Sequence, residues 1–136
     1  MKIAVLGGGN GSFAAAADFS LAGHEVSLVR RSQADVDAHL AAGGTITVID
    51  GKGRRPAKIA SITCDLADAV RGAQLILCPT PAFAQHDLAR RVAPLLEPGQ
   101  VVYLPPGTFG SYVFAKAAHD AGREKGVSFA ETGTLP

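Results

Sequence analysis

The chain has 136 residues, with 13 Lys and Arg against 12 Asp and Glu and a formal net charge of +1. It is 47% hydrophobic and 18% charged, which suits one packed domain and excludes a long disordered acidic or basic chain. The even balance supplies no basic field for nucleic acid or an anionic membrane, and Cys64 and Cys78, without paired spacing, exclude a disulfide scaffold and a four-cysteine zinc site.

The predicted elements alternate along the chain. Lys2 to Leu6 is a short apolar strand ended by glycines. Residues 12–22 are rich in Ala, a strong helix former, with Phe13, Ala17 and Leu21 on one face and Gly23 as the stop. Glu25 to Arg30 reads as a second strand, and 33–42 as a helix closed by Gly43 and Gly44. The β-branched run Thr45 to Ile49, the turn Gly51-Lys52-Gly53 and the strand Ala57 to Thr63 suggest a hairpin-like excursion with a parallel strand near its end. Leu66 to Arg71 reads as a short helix and Gln74 to Cys78 as a buried strand. The helix 83–96, the strand Gln100 to Leu104, the helix 110–122 and a last strand Val127 to Ala130 follow. Such alternation implies parallel βαβ units with helices on both faces of the sheet.

The N-terminus lacks the long apolar region and cleavage site of a secretory signal. The apolar runs also fall well short of the ~20 residues that span a bilayer. A reducing, cytoplasmic setting is expected.

Gly7-Gly8-Gly9-Asn10-Gly11-Ser12 carries the sharpest chemical signal. It follows a strand and opens a helix, the context in which a glycine fingerprint binds a dinucleotide. Gly7 allows the tight turn, and Gly9 lets the backbone approach a pyrophosphate. Ser12 is small enough for close helix–strand packing. The N–H groups of the first helical turn, from Asn10 and Gly11 on, then face the phosphates. The fold class is therefore α/β, a Rossmann-type doubly wound and mainly parallel sheet.

In the NAD version of this fold an acidic residue ends the second strand. Here that place holds Arg30-Arg31-Ser32. Glu25 comes too early, and Asp35 falls inside the next helix. Two guanidiniums suit a 2′-phosphate, so NADP is the expected cofactor, with NAD as the alternative. A charge-assisted hydrogen bond of ~1.5–3 kcal/mol gives roughly tenfold to hundredfold discrimination. Which of Arg30 and Arg31 faces the ligand stays open, and a solvated basic strand end would look the same.

Two proline turns follow core strands, Pro79-Thr80-Pro81 and Pro105-Pro106-Gly107-Thr108. Ligands of open α/β sheets sit beyond the carboxyl ends of the strands. Pro79, Thr80, Pro81, Pro106 and Gly107 are thus candidates for a firm wall beside the nicotinamide half of the cofactor. Ordinary helix initiation accounts for the prolines equally well. His24, His39, His86 and His119 have no metal-ligand spacing, and no metal is expected. His86 is the one histidine near a proline turn, though a helix-surface role fits it better. Cys78 reads as a small buried residue. Ser111 has no nucleophile-elbow context.

The opening GGGNGSFAAA and the closing FAETGTLP resemble the N-terminal domain of the octopine/nopaline (opine) dehydrogenase family. AGHEVSLVRRS is similar, more broadly, to the strand-two segment of ketopantoate reductases, where an Arg meets the NADP 2′-phosphate. The ending Glu131-Thr132-Gly133-Thr134-Leu135-Pro136 favours the opine group. The resemblance implies reductive joining of an amino acid to a 2-oxo acid by hydride transfer from NADH or NADPH. It also implies a second, helical domain after Pro136 that supplies the substrate-binding and acid/base residues. No catalytic residue is therefore assigned within 1–136. This length alone is expected to bind cofactor with little or no turnover, and to self-associate through uncovered apolar surface. The alternatives are a ketopantoate-reductase-like or other 2-hydroxy-acid dehydrogenase domain, or a non-catalytic nucleotide-sensing module. A flavin or methyl-donor domain shares the glycine turn, but neither ligand has a 2′-phosphate for the arginines.

Overall fold

The computed structural model describes residues 1–133. The Thr134, Leu135 and Pro136 part of the closing motif lies outside the described residues.

The strands are β1 (Lys2–Leu6), β2 (Glu25–Val29), β3 (Thr45–Asp50), β4 (Gly53–Lys58), β5 (Ser61–Thr63), β6 (Leu75–Leu77), β7 (Val101–Leu104) and β8 (Ser128–Glu131). The helices are α1 (Asn10–Leu21), α2 (Gln33–Ala41), α3 (Leu66–Val70), α4 (Ala82–Val92) and α5 (Gly110–Asp120). Six strands form one sheet in the order β5-β2-β1-β6-β7-β8, and every pairing in it is parallel. Lys2 to Leu6 run in register with Glu25 to Val29, and Ile3 to Val5 pair with Leu75 to Leu77 on the other side. The chain thus builds outward from β1 to β5, then crosses back to place β6 against β1. That reversal is the topological switch point of a doubly wound sheet.

A sheet covered on both faces needs strands that are apolar throughout rather than alternating. Ile3, Ala4, Val5 and Leu6 are accordingly all buried. Ala4, Leu6, Ile76, Val102 and Leu104 pack with Val70, Val92 and Phe114 from α3, α4 and α5. Ile3, Val5, Val26 and Leu28 pack with Ala16 of α1 and Val36 of α2. One sheet therefore divides two cores, with helices on each side.

Three boundaries differ from the expected ones for clear reasons. Helix α1 begins at Asn10 rather than residue 12, because Gly9 is extended and takes the N-cap position. The run 57–63 is two strands. Residues Gly53–Lys58 pair antiparallel with β3 as a separate hairpin, and only Ser61–Thr63 join the main sheet. Between them the N–H of Ile59 donates to the Gly44 carbonyl, and its side chain enters the core beneath α1 and α2. The expected helix 83–96 stops at Val92 and tightens into a 3₁₀ turn over Ala93–Leu95. Pro94 causes this, since it lacks an N–H and crowds the carbonyl four residues back.

Phe114 is fully buried and joins α5 to the strands beneath the proline turns. Phe114→Ala should cost about 3–5 kcal/mol, read as a lower urea midpoint. A midpoint equal to that of the wild type would contradict this packing.

Candidate functional site

Gly7 leaves β1 with φ +148, a conformation that L side chains rarely adopt. A Cβ there would lie 2.6 Å from Ser12 Oγ. The missing side chain lets the chain fold straight back into α1. Gly9 then stands in open space at the helix start, with no side chain bonded over it. Gly11 faces Pro79, whose Cβ would be 3.6 Å from a Cβ at Gly11. Ser12 is fully buried, and its hydroxyl finds no partner among the described residues. An open helix N-terminus of this kind favours an anion, through its free N–H groups and dipole.

Arg30, just past β2, is held by three contacts. Its Nη1 donates to the Gly8 carbonyl at 3.3 Å. Its guanidinium carbon lies 4.7 Å from the centre of the Phe13 ring. Its Nη2 stands 3.7 Å from Asp35 Oδ1. The buried Nε has no partner among the described residues. Arg31, by contrast, is exposed. Ser32 caps α2 by accepting the Asp35 N–H at 3.2 Å. Its own hydroxyl donates to Asp35 Oδ2 at 3.1 Å. Asp35 therefore belongs to this corner, which its place inside a helix had hidden. The Ser-x-x-Asp spacing of a capping box was the available signal.

Beyond the sheet the two proline turns are tied together by one side chain. Gln85, buried on α4, donates through Nε2 to the carbonyls of Thr80 (3.3 Å) and Pro106 (3.1 Å). Gly110 leaves room for it, since a Cβ there would overlap Gln85 Oε1. The Pro105–Pro106 bond is cis, and Thr108 and Phe109 both have positive φ. Glu131, at the end of β8, holds this turn by accepting the N–H groups of Phe109 (3.1 Å) and Ser111 (2.8 Å). Gly107 has to be small because the Glu131 side chain lies across it. The Ser111 N–H in particular keeps the Glu131 carboxyl below the ordinary glutamate range.

These pieces meet in a cleft of about 660 Å³ at the switch point. Gly7, Gly8 and Gly9, Arg30 and Arg31, and Pro79, Thr80 and Pro81 line it, with Asp35, Phe83, Asp87 and Arg91. Its size lies within the usual range for small-molecule sites. Thr80 Oγ1 is buried and has no partner among the described residues. Asn10, Gly11 and Ser12 sit behind the cleft in the first turn of α1. Pro106 and Gly107 lie off its wall; Gln85 ties the Pro106 carbonyl to that of Thr80, which lines it. The unfilled hydroxyl, the uncovered glycine turn and the cation-rich corner fit a phosphate-bearing nucleotide.

Other groups stand apart. His86 lines a different groove, between α4 and α5. His24 lies 3.5 Å from the N-terminal amine, and His39 packs near Phe13. Cys78 is fully buried, and burial pushes its thiol pKa up, away from nucleophilic use. Among the described residues no group of three or more His, Cys, Asp or Glu could hold a metal, and no helix is long and apolar enough to cross a membrane.

The family model described as NAD-dependent glycerol-3-phosphate dehydrogenase N-terminus matches residues 2–107. The chain belongs to this family. It is an NAD(P)-binding dehydrogenase domain. Its likeness to opine dehydrogenases runs further along the chain. The opine dehydrogenase of Arthrobacter sp. (strain 1C) is 33% identical over 97% of this chain and 36% of its own length. A solved octopine dehydrogenase, in complex with NADH and agmatine, superposes with a TM-score of 0.78 at 22% identity, over 93% of this chain and 33% of that one. At that identity the likeness speaks for the fold. The ketopantoate reductase of Ralstonia eutropha JMP134 gives a TM-score of 0.70 at 25% identity, over 93% and 40%. The chain therefore spans about a third of the length of these relatives.

The Glu131 clamp predicts a pH signature. A carboxyl whose folded pKa lies below its unfolded value stabilises the fold above the unfolded pKa, about 4.3, and loses that effect as pH falls through the folded value. Glu131→Gln should be less stable than the wild type at neutral pH, with the gap in Tm closing on the acid side. A gap that persists unchanged into acid would show that the Glu131 charge does not hold the turn.

Proposed function

We propose that the cleft binds NADP(H), with NAD(H) as a weaker alternative, and that the chain serves an enzyme of the opine dehydrogenase type. The observation that carries the cofactor reading is the meeting of Arg30 and Arg31 with the glycine turn in one cleft. In this reading Gly7, Gly9, Asn10, Gly11 and Ser12 receive the pyrophosphate, and Arg31, with Arg30 behind it, receives the 2′-phosphate. Pro79, Thr80 and Pro81 wall the nicotinamide half, while Pro106 and Gly107, off the cleft wall, belong to a turn tied to Thr80 through the Gln85 bond to the Pro106 carbonyl. A bound dihydronicotinamide would supply the hydride. The chain's own residues would bind it, orient it and exclude water from one side.

The likeness to opine dehydrogenase supports the reaction class, because it extends through 97% of the chain whereas the family model ends at residue 107. Octopine dehydrogenase has been solved with L-arginine and with pyruvate, one amino acid and one 2-oxo acid. The proposed substrates belong to the same two classes, joined as an imine and reduced to a secondary amine. Their acid/base and binding groups are assigned to a second, helical domain. Phe83, 89% exposed on the cleft wall, supports a covering body there. Uncovered, the same surface favours self-association. A cytoplasmic setting is part of the proposal, since it would keep the free thiols of Cys64 and Cys78 reduced. A ketopantoate-reductase type of chemistry is the second reading, supported by the shared fold of the Ralstonia protein.

Calorimetric titration with NADPH and NADH tests the cofactor reading. NADPH should bind more tightly. Arg31→Ala should weaken NADPH by roughly tenfold or more while sparing NADH. Binding of neither nucleotide would overturn the assignment. Equal loss of both in Arg31→Ala would place Arg31 away from the 2′-phosphate.

A further inference from the structure

We infer that two copies of this chain pair through an aromatic rim at the carboxyl end of the sheet, built from Phe83, Phe109 and Tyr112. The inference names the surface and the partner for the self-association that Phe83 suggests, and it needs no bound nucleotide.

Phe83 is 89% exposed, Phe109 79% and Tyr112 67%. All three stand at the start of a helix. Phe83 is the second residue of α4, Phe109 the N-cap of α5 and Tyr112 its third residue. The two helices pack side by side. Their first turns meet, because buried Gln85 lies against Gly110 and bonds the Pro106 carbonyl. His86 and Tyr112 line one groove between them. The other exposed large apolar side chains lie elsewhere, Met1 at the N-terminus, Leu40 on α2 and Ile49 on β3.

The rim has the composition of an interface core. Residues 72–86 and 98–115 contain no Asp, Glu, Lys or Arg. Loss of charge with gain of aromatic rings marks the centre of a protein interface, and an exposed apolar patch marks a place of contact. The charges that close the two stretches, Asp87 and Lys116, are held by Arg91 at 3.8 Å and Asp120 at 2.7 Å. Glu131, which reaches the rim from β8, spends its oxygens on the Phe109 and Ser111 N–H groups. Such a rim meets its own copy without like-charge repulsion, as a two-fold contact requires, because each patch then faces itself. Rings also pack well on rings, stacked or edge to face. A buried Phe or Tyr contributes ~150–250 Å², so three rings exposed to this degree supply roughly half of the ~800 Å² per partner of a standard interface. Exposed Pro81, Ala82 and Thr108 beside them add to it.

Sedimentation velocity on the nucleotide-free 136-residue chain, across a concentration series, should show a monomer–dimer equilibrium. Phe109→Asn suits the left-handed backbone at that position, and Tyr112→Gln and Phe83→Gln keep good helix formers. Phe109→Asn with Tyr112→Gln should raise the dimer dissociation constant by roughly tenfold or more, and Phe83→Gln should raise it further. Ile49→Thr, on the exposed hairpin, should leave it unchanged. Thermal melting checks that each variant is folded. A chain that stays monomeric throughout overturns the inference and leaves the rim to a covering domain. Association that the ring variants leave unchanged, that Ile49→Thr weakens as much, or that grows past the dimer overturns it as well. Phe109 and Tyr112 lie off the nucleotide cleft, and no nucleotide is present, so failure of this inference and failure of the cofactor reading are separate results.

Discussion

The site depends on the absence of a side chain at Gly7. Its φ of +148 turns the central strand directly into α1, and Ser12 occupies the space that a Cβ would need. Because β1 is flanked by β2 and β6, that turn stands where the sheet order reverses. The loops after β1, β2 and β6 can then converge on one volume. A bulkier turn would push α1 off the sheet and separate the glycines from Arg30, whose guanidinium bonds to the Gly8 carbonyl and packs on Phe13 of the same helix. Fold and site thus share one constraint, close approach of backbone at the switch point.

The far wall is built differently. Proline turns fix φ but give up N–H donors, so they need outside anchors. Gln85 bonds the carbonyls of both turns, and Glu131 accepts two N–H groups beside the left-handed pair Thr108–Phe109. Positive φ at non-glycine residues costs of order 1–2 kcal/mol each, and the Glu131 clamp offsets part of that. Sequence-distant elements, α4 and β8, therefore hold the proline turns. This arrangement also gives the ending Glu131-Thr132 a structural role, since the Thr132 carbonyl accepts the Gly107 N–H at 2.8 Å.

Much of this was legible in the sequence, and the rest failed for definable reasons. Continuous apolar runs such as Ile3 to Leu6 and Leu75 to Cys78 marked the buried parallel strands, and glycines marked the ends. The glycine turn was legible because its chemistry is local: spacing, strand before, helix after. Gln85 was not, because a glutamine at the buried face of a helix shows nothing in sequence of the carbonyls it will meet. The hairpin β3–β4 was visible only in outline, since the break at Ile59 is set by a tertiary bond to Gly44 and by burial against α1 and α2. Counted along the chain, Asp35 falls past the strand end and inside α2. In space a capping residue on the first turn of α2 points back toward the strand end it follows.

That last case bears on how charge is read at a strand end. Two adjacent arginines look like a single basic pair, yet the fold uses them differently. Arg30 is part of the scaffold, bound to a backbone carbonyl, an aromatic face and a carboxylate. Arg31 is left to solvent. A cation committed to three protein contacts raises the local potential but has few donors to offer a ligand. A neighbouring cation with the same net charge has all of them. The preference of such a corner thus follows from which donors remain unengaged. The count of arginines does not fix it.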